Sequence, residues 1–340
     1  MVDSAVSSGD DENALPQAAP PNPHRHWYRL SLVATLLMVV VVIALLPLAV
    51  TSMQEVLGSG PETLYDLVTG QPVDPAAVTV AEEGDIYINL GIIGFDESTG
   101  LLTIAVSGNR HCTGPCPATT LSFTGLDDDA DQRRGLPPSV TLTLQPADII
   151  FSQSVQLPVR GQPSLYPFDT YSLWLGVSGV TKDADGTVVE LTPSTLGQRV
   201  MTLQNRIPDL VMLPPVSVDP QDAQSVTDPF AFLSVQALTF GRPAYLEVLA
   251  VVLVALIAIS AALALFTRTI NELTLGVGGL ILGVWGIRSV LMPTSLPTVT
   301  AIDLALSWII LLLLLGFALR AILHFHRHSD LPMPRPGRKP

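Results

Sequence analysis

Charge is scarce in this 340-residue chain. Only 14% of its residues are Asp, Glu, Lys or Arg, while 48% are hydrophobic and the mean hydropathy is +0.45. A water-soluble domain ordinarily carries about 25% charge, so the ordinary soluble class is excluded and membrane spans are expected. No G-x-S-x-G elbow, Walker loop, H-E-x-x-H or Rossmann glycine pattern occurs, which removes the hydrolases and nucleotide enzymes that announce themselves by those motifs. The chain is expected to be non-enzymatic and to need no cofactor.

Four apolar stretches, residues 30–50, 246–266, 273–292 and 302–323, are each long enough to cross a hydrocarbon core, which takes roughly 20 helical residues. The first follows His24, Arg25, His26 and Arg29 as a signal sequence would. Its apolar part nevertheless exceeds the usual signal core of about 7–15 residues, and it lacks a clean A-x-A site, so it reads as an anchor. Arg25 and Arg29 precede the first span, Arg268 lies between the second and third, and Arg320, Arg327, Arg335, Arg338 and Lys339 close the chain. Lys and Arg collect on the cytoplasmic side. The expectation is a multi-pass plasma-membrane protein with both termini cytoplasmic: a disordered tail over 1–29, an extracytoplasmic domain over 51–245, and a basic tail over 324–340.

Basic residues are rare in that outer segment, where twenty-two acidic side chains face eight basic ones, a balance of −14. Such a surface argues against nucleic acid or anionic lipid as its partner. The segment also lacks any convincing amphipathic helix. Short alternating runs punctuated by Gly, Pro, Asn and Asp read instead as strands: 85–95, 101–109, 118–124, 139–144, 152–159, 171–177 and 187–191. Seven strands in under 200 residues point to a β-sandwich.

In LYPFDTYSLWL, Pro167 fixes its own φ and pushes Tyr166 toward an extended conformation. Phe168 completes the turn, and the Asp169 carboxylate is expected to hold it closed by accepting backbone N–H bonds. Tyr171, Leu173, Leu175 and Val177 then fall on one face of a strand, leaving Trp174 among polar neighbours to pack on an adjacent strand or loop. Cys112 and Cys116, the only cysteines, sit in RHCTGPCP, where a disulfide closing the Gly-Pro loop is expected and metal or redox handling with His111 is the alternative. Asp127, Asp129 and Asp131 imitate the start of an EF-hand loop. Gln132 and Pro138 stand where its Gly and bidentate Glu would be, so a solvated acidic loop is the reading. Asp183 and Asp185, in KDADG, read as a hairpin turn.

The hydrocarbon region lacks ionisable residues near its midplane, which argues against a self-contained ion-coupled transporter and leaves room for an oligomeric pore lined by Ser, Thr and backbone. What it has is GVGGLILGVWGIRSVLMP, where Gly276, Gly279, Gly283 and Gly286 share one helical face and admit a close helix neighbour, from this chain or from another copy. Arg288, on the same helix, is expected to pair with Asp303 at the start of the last span.

The stretches LYPFDTYSLWL and TLGVGGLILGVWGIRSVLMP resemble an uncharacterised family of bacterial and fungal membrane proteins with one N-terminal and three C-terminal transmembrane helices around an extracytoplasmic β-rich region. The PFD turn is also similar to one in pentameric ligand-gated channels, although those place all four helices after the outer domain. The first resemblance implies four transmembrane helices plus an all-β domain, and no activity. The functional expectation is a binding, sensing or scaffold protein acting through its acidic outer domain on an external ligand or membrane-protein partner. An oligomeric channel or transport component, hence a homo-oligomer, is the alternative. The lipid bilayer is the remaining expected partner.

Overall fold

The computed structural model describes residues 36, 39–40, 43, 47, 50, 63–74, 86–112, 114–126, 139–182, 185–192, 200–219, 232–267, 270–291 and 299–329. Alternation writes the sheets. In β3 (Ile86–Asp96), β4 (Leu101–Arg110) and β5 (Ala118–Gly125), every second side chain is buried over most of the strand, as a pleated ribbon with one face on a core requires. The same rhythm runs through β9 (Thr170–Lys182), which continues past Val177 to Lys182.

Two sheets result. The first has the order β2-β1-β11-β3-β4-β7, with β1 Leu64–Asp66, β2 Pro72–Val73, β7 Ile150–Pro158 and β11 Val200–Asn205. The second runs β12-β14-β9-β5-β6, with β6 Ser139–Leu144, β12 Val211–Met212 and β14 Ser234–Gly241. Short strands β8 (Arg160–Gly161) and β10 (Val188–Glu190) join β9, and β13 (Val216–Ser217) joins β14. Both sheets turn their buried faces into one core, in which Leu90, Ile92 and Ile104 of the first share a cluster with Phe123, Leu173 and Phe240 of the second.

Besides short strands of two or three residues, two longer ones escape the sequence reading, for different reasons. β11 pairs parallel to β3 and hides four consecutive side chains, Met201 to Gln204, so it lacks the one-sided alternation that marks a strand. β14 alternates only in its second half, its first three residues all being buried, and its Ser, Gln and Thr dilute the apolar signal. It pairs with β9 along its whole length.

Directly after β14 come three helices: α1 (Ala244–Thr267), α2 (Ile270–Leu291) and α3 (Ala301–Ser329). Among the described residues two segments are long and apolar enough to cross a membrane, Ala244–Leu265 and Ala301–His326. Among the described residues α2 contributes a shorter apolar stretch, Gly276–Gly286. The expected first span, 30–50, lies largely outside the described residues. Within it Leu36, Val39, Val40, Ile43, Pro47 and Val50 are helical and exposed. The acidic loop at Asp127–Asp131 and the tail 1–29 lie outside as well; of the expected tail 324–340, the first six residues instead continue α3 to Ser329, and 330–340 lie outside.

The three helices pack on one another through two apolar clusters, Ala250, Ile257, Val284, Ile302 and Leu306 in one, and Ala261, Val277 and Leu313 in the other. Most of their surface stays open: Leu311, Leu312 and Leu315 on α3 are each more than half exposed.

Candidate functional site

One buried side chain sits where the sheets give way to the helices. Arg242 follows β14 and precedes α1 by two residues, and its side chain is only 2% exposed. Its Nε donates to both oxygens of Asp169 at 3.1 Å, and its Nη2 donates to Asp169 Oδ2 at 2.9 Å and to Glu97 Oε1. The Tyr171 hydroxyl donates to the same Asp169 Oδ2 at 2.6 Å. Planar guanidinium and planar carboxylate match in this bidentate geometry, which lysine cannot reproduce.

Each partner arrives from a different element. Glu97 opens the β3–β4 turn, in which the Asp96 carboxylate accepts from the Ser98 amide at 2.9 Å and from the Ser98 hydroxyl at 2.7 Å. Gly100, at φ +68°, closes that turn in the left-handed region that favours glycine. Asp169 ends the PFD turn, entered by a one-turn 3-10 helix over Pro163–Leu165 and a cis Tyr166–Pro167 bond. Tyr171 sits two residues into β9, its ring edge-on to Phe95 at 4.4 Å.

The electrostatics follow from burial. Removal from water works against the Arg242 charge, but the hydrogen bonds and charges of Asp169 and Glu97 outweigh it and raise its pKa further. Burial, then the bond to Asp169, pushes the Tyr171 phenol up, so it remains a donor throughout the range in which the protein is handled. Burial likewise raises Tyr166, with the nearby guanidinium pulling the other way. Two carboxylates around one guanidinium leave the cluster with a net negative charge.

The turn reaches beyond the sheets. Tyr166 is 4% exposed and belongs to the helix cluster with Ala250, Ile302 and Leu306, and its ring lies 4.9 Å beneath the Arg242 Cζ. The expectation of a corner braced by backbone bonds is thus corrected: the Asp169 carboxylate accepts from Arg242 and Tyr171 side chains. Pro167 is buried with it, while Phe168 is 48% exposed. Trp174 packs beside Leu126, Val218, Phe232 and Val235.

Cys112 and Cys116 are bonded at 2.13 Å, with Cα atoms 5.5 Å apart. Their sulfurs are spent on each other, so they offer no thiolate to a metal. Arg110, fully buried, fixes the base of the loop by donating to the carbonyls of Asp148, Pro117 and Gln145. Since β4 runs from beside Glu97 to Arg110, roughly 30 Å of strand separates this loop from the Arg242 cluster. At the β9–β10 turn Gly186 has φ +90° and Asp185 accepts from the Thr187 amide at 2.9 Å; Asp183 lies outside the described residues.

Arg288 Nε donates to Asp303 Oδ1 at 2.6 Å, and Asp303 also accepts from the Thr300 amide at 3.1 Å, capping α3. No helix of this chain closes on the described glycines of the stripe, which leaves another copy as the expected neighbour. A Cβ on Gly279, Gly283 or Gly286 would meet nothing within 4 Å, because α2 buries its Val277–Leu280–Val284 face instead. Gly276, on the same stripe, is half-buried. Close approach occurs at Gly316 of α3, where an added Cβ would meet Leu265 of α1 at 2.9 Å. Arg320, a turn further on, donates to the Leu265 carbonyl.

Glu97 and Arg242 were not singled out by sequence. One signal was present: an arginine two residues before an apolar helix, one of only eight basic residues between 51 and 245.

A family described as a domain of unknown function (DUF4436) matches residues 134–227. That stretch holds the PFD turn and β6 to β13, and excludes Glu97 and Arg242. No curated protein matches the chain.

Proposed function

We propose that the protein is a multi-pass plasma-membrane protein, both termini cytoplasmic, whose acidic outer β-sandwich binds or senses an external partner without catalysing a reaction. Residues 30–50 and α1 to α3 are its four spans in this reading. One observation carries it: the buried Glu97–Arg242–Asp169 cluster fastens two sheet turns to a residue two positions before α1, while Tyr166 plugs one of those turns into the helices. A load on the β-domain therefore reaches the helices through buried, directional bonds and not through a loose linker. Membrane-facing surface is supported by the exposed Leu residues of α3.

The test is crosslinking in living cells followed by identification of neighbours, with the intact chain and with the outer domain removed. Neighbours captured only by the intact chain are expected. Identical capture by the truncated chain overturns the proposal.

The uncovered glycine face of α2 favours a second reading, an oligomeric channel or transport component, since such faces admit helices of another copy. It expects ring oligomers in native-membrane mass measurement and ion flux in liposomes. A monomer without flux removes it.

A further inference from the structure

Beside the Arg242 cluster, on the outer face of β14 and β12, opens a cleft of about 640 Å³, within the range of small-molecule sites, about 300–1,000 Å³. Val211, Leu213, Pro208 and Tyr245 give it apolar walls. Its floor is Gly241, where an added Cβ would meet nothing within 4 Å, so the space above the strand is open. Val211 and Leu213 are 47% and 53% exposed, an apolar surface left uncovered by the fold. At its rim stands Asp209, exposed and holding no ion pair among the described residues.

We infer that this cleft binds an organic cation, an ammonium group carried on an apolar body. The sign of charge decides the class. Arg242 borders the cleft, but its side chain is 2% exposed and committed to two carboxylates, so it offers nothing to an anion. The cluster behind the wall has a net negative charge, and Asp209 adds another. The positive end of α1 points the other way, yet Glu247 in its first turn offsets it and Pro243 supplies no N–H. The ring of Tyr245 adds a surface on which ammonium groups settle. The ammonium comes either from a free amine in the outer medium or from an aminolipid headgroup at the mouth of α1. The inference deepens the functional proposal by naming a ligand class, and rests on it for the cleft's position at the membrane surface.

Full-length protein in detergent is titrated with benzylammonium, benzyl alcohol and benzoate, which share a body and differ in charge. Benzylammonium is expected to bind most tightly, Asp209→Asn to weaken it about tenfold, the effect of one lost charge contact, and Gly241→Leu to abolish it by filling the floor. Equal binding of benzoate or benzyl alcohol, or an unchanged Kd in Asp209→Asn, overturns the site. Asp209 is a surface residue, so that variant carries the test if Gly241→Leu fails to fold. Repetition in nanodiscs separates the sources: weaker binding in phosphatidylethanolamine than in phosphatidylglycerol identifies a competing lipid headgroup, and equal binding identifies a free amine. Binding by a chain that captures no neighbour keeps the cleft and removes only a protein partner from the functional proposal; capture without binding sinks the cleft alone.

Discussion

Arg242 is held by opposite charges it did not meet along the chain, and its removal leaves two buried carboxylates facing each other. Arg242→Leu is expected to destabilise the protein by about 3–5 kcal/mol, the cost of stranding buried charge, measured as thermal unfolding in detergent. Tyr171→Phe removes one donor to Asp169 and keeps the ring, so about 1–3 kcal/mol is expected. Asp96 supplies a pH test. Hydrogen bonds from Ser98 and Thr99 hold its carboxyl below the ordinary carboxylate range. Its contribution is therefore full above the unfolded value of about 3.9 and is lost as pH falls through the lower folded value. Asp96→Asn should melt below the native protein near neutral pH, with the gap closing only in acid below that value. At this scale sequence reading found Asp169 and Tyr171 but neither the Arg242 that bonds Asp169 nor the Glu97 that shares its guanidinium. Glu97 and Arg242 lie 72 residues before Asp169 and 73 after, and nothing local ties such positions together.

Whole elements were more readable, because a strand with one wet face prints its period on the sequence. β4 and β5 could be found for that reason, and β11, covered on both faces, could not. The helices show the converse limit: four glycines on one face announce room for a neighbour without saying whether any neighbour comes. Buried Val277 and Val284 decide which face of α2 packs. Gly316→Leu should force α1 and α3 apart at a cost of about 1–3 kcal/mol, whereas Gly279→Ala should leave the monomer's melting temperature unchanged. Loss of an oligomer in Gly279→Ala would place a second copy against the stripe. Arg288 and Asp303 are expected to couple by at least about 0.5 kcal/mol in a double-mutant cycle; strict additivity of Arg288→Ala and Asp303→Ala would mean that the pair does nothing for stability.

For the whole molecule, the division into a β-rich part and apolar helices was legible from the hydropathy pattern, since no alternating strand pattern survives among the Leu and Val runs. What could not be read is how the two parts meet, because that depends on which loops the sheets bring to one end. The proposed topology expects protease added to intact cells to cut within residues 51–245, and glycosylation sequons placed at either terminus to stay unmodified. Decorated termini or an uncut outer segment would overturn it.

The placement of Arg242 at the seam sets where the chain can be divided. A secreted version of the outer part that stops at Gly241 would carry an unneutralised acidic pocket and should misfold or aggregate, while one extended by a single codon regains its counter-ion. Even the longer version would leave Tyr166 without the helices that cover it, so a soluble fragment needs that ring replaced by something at ease in water.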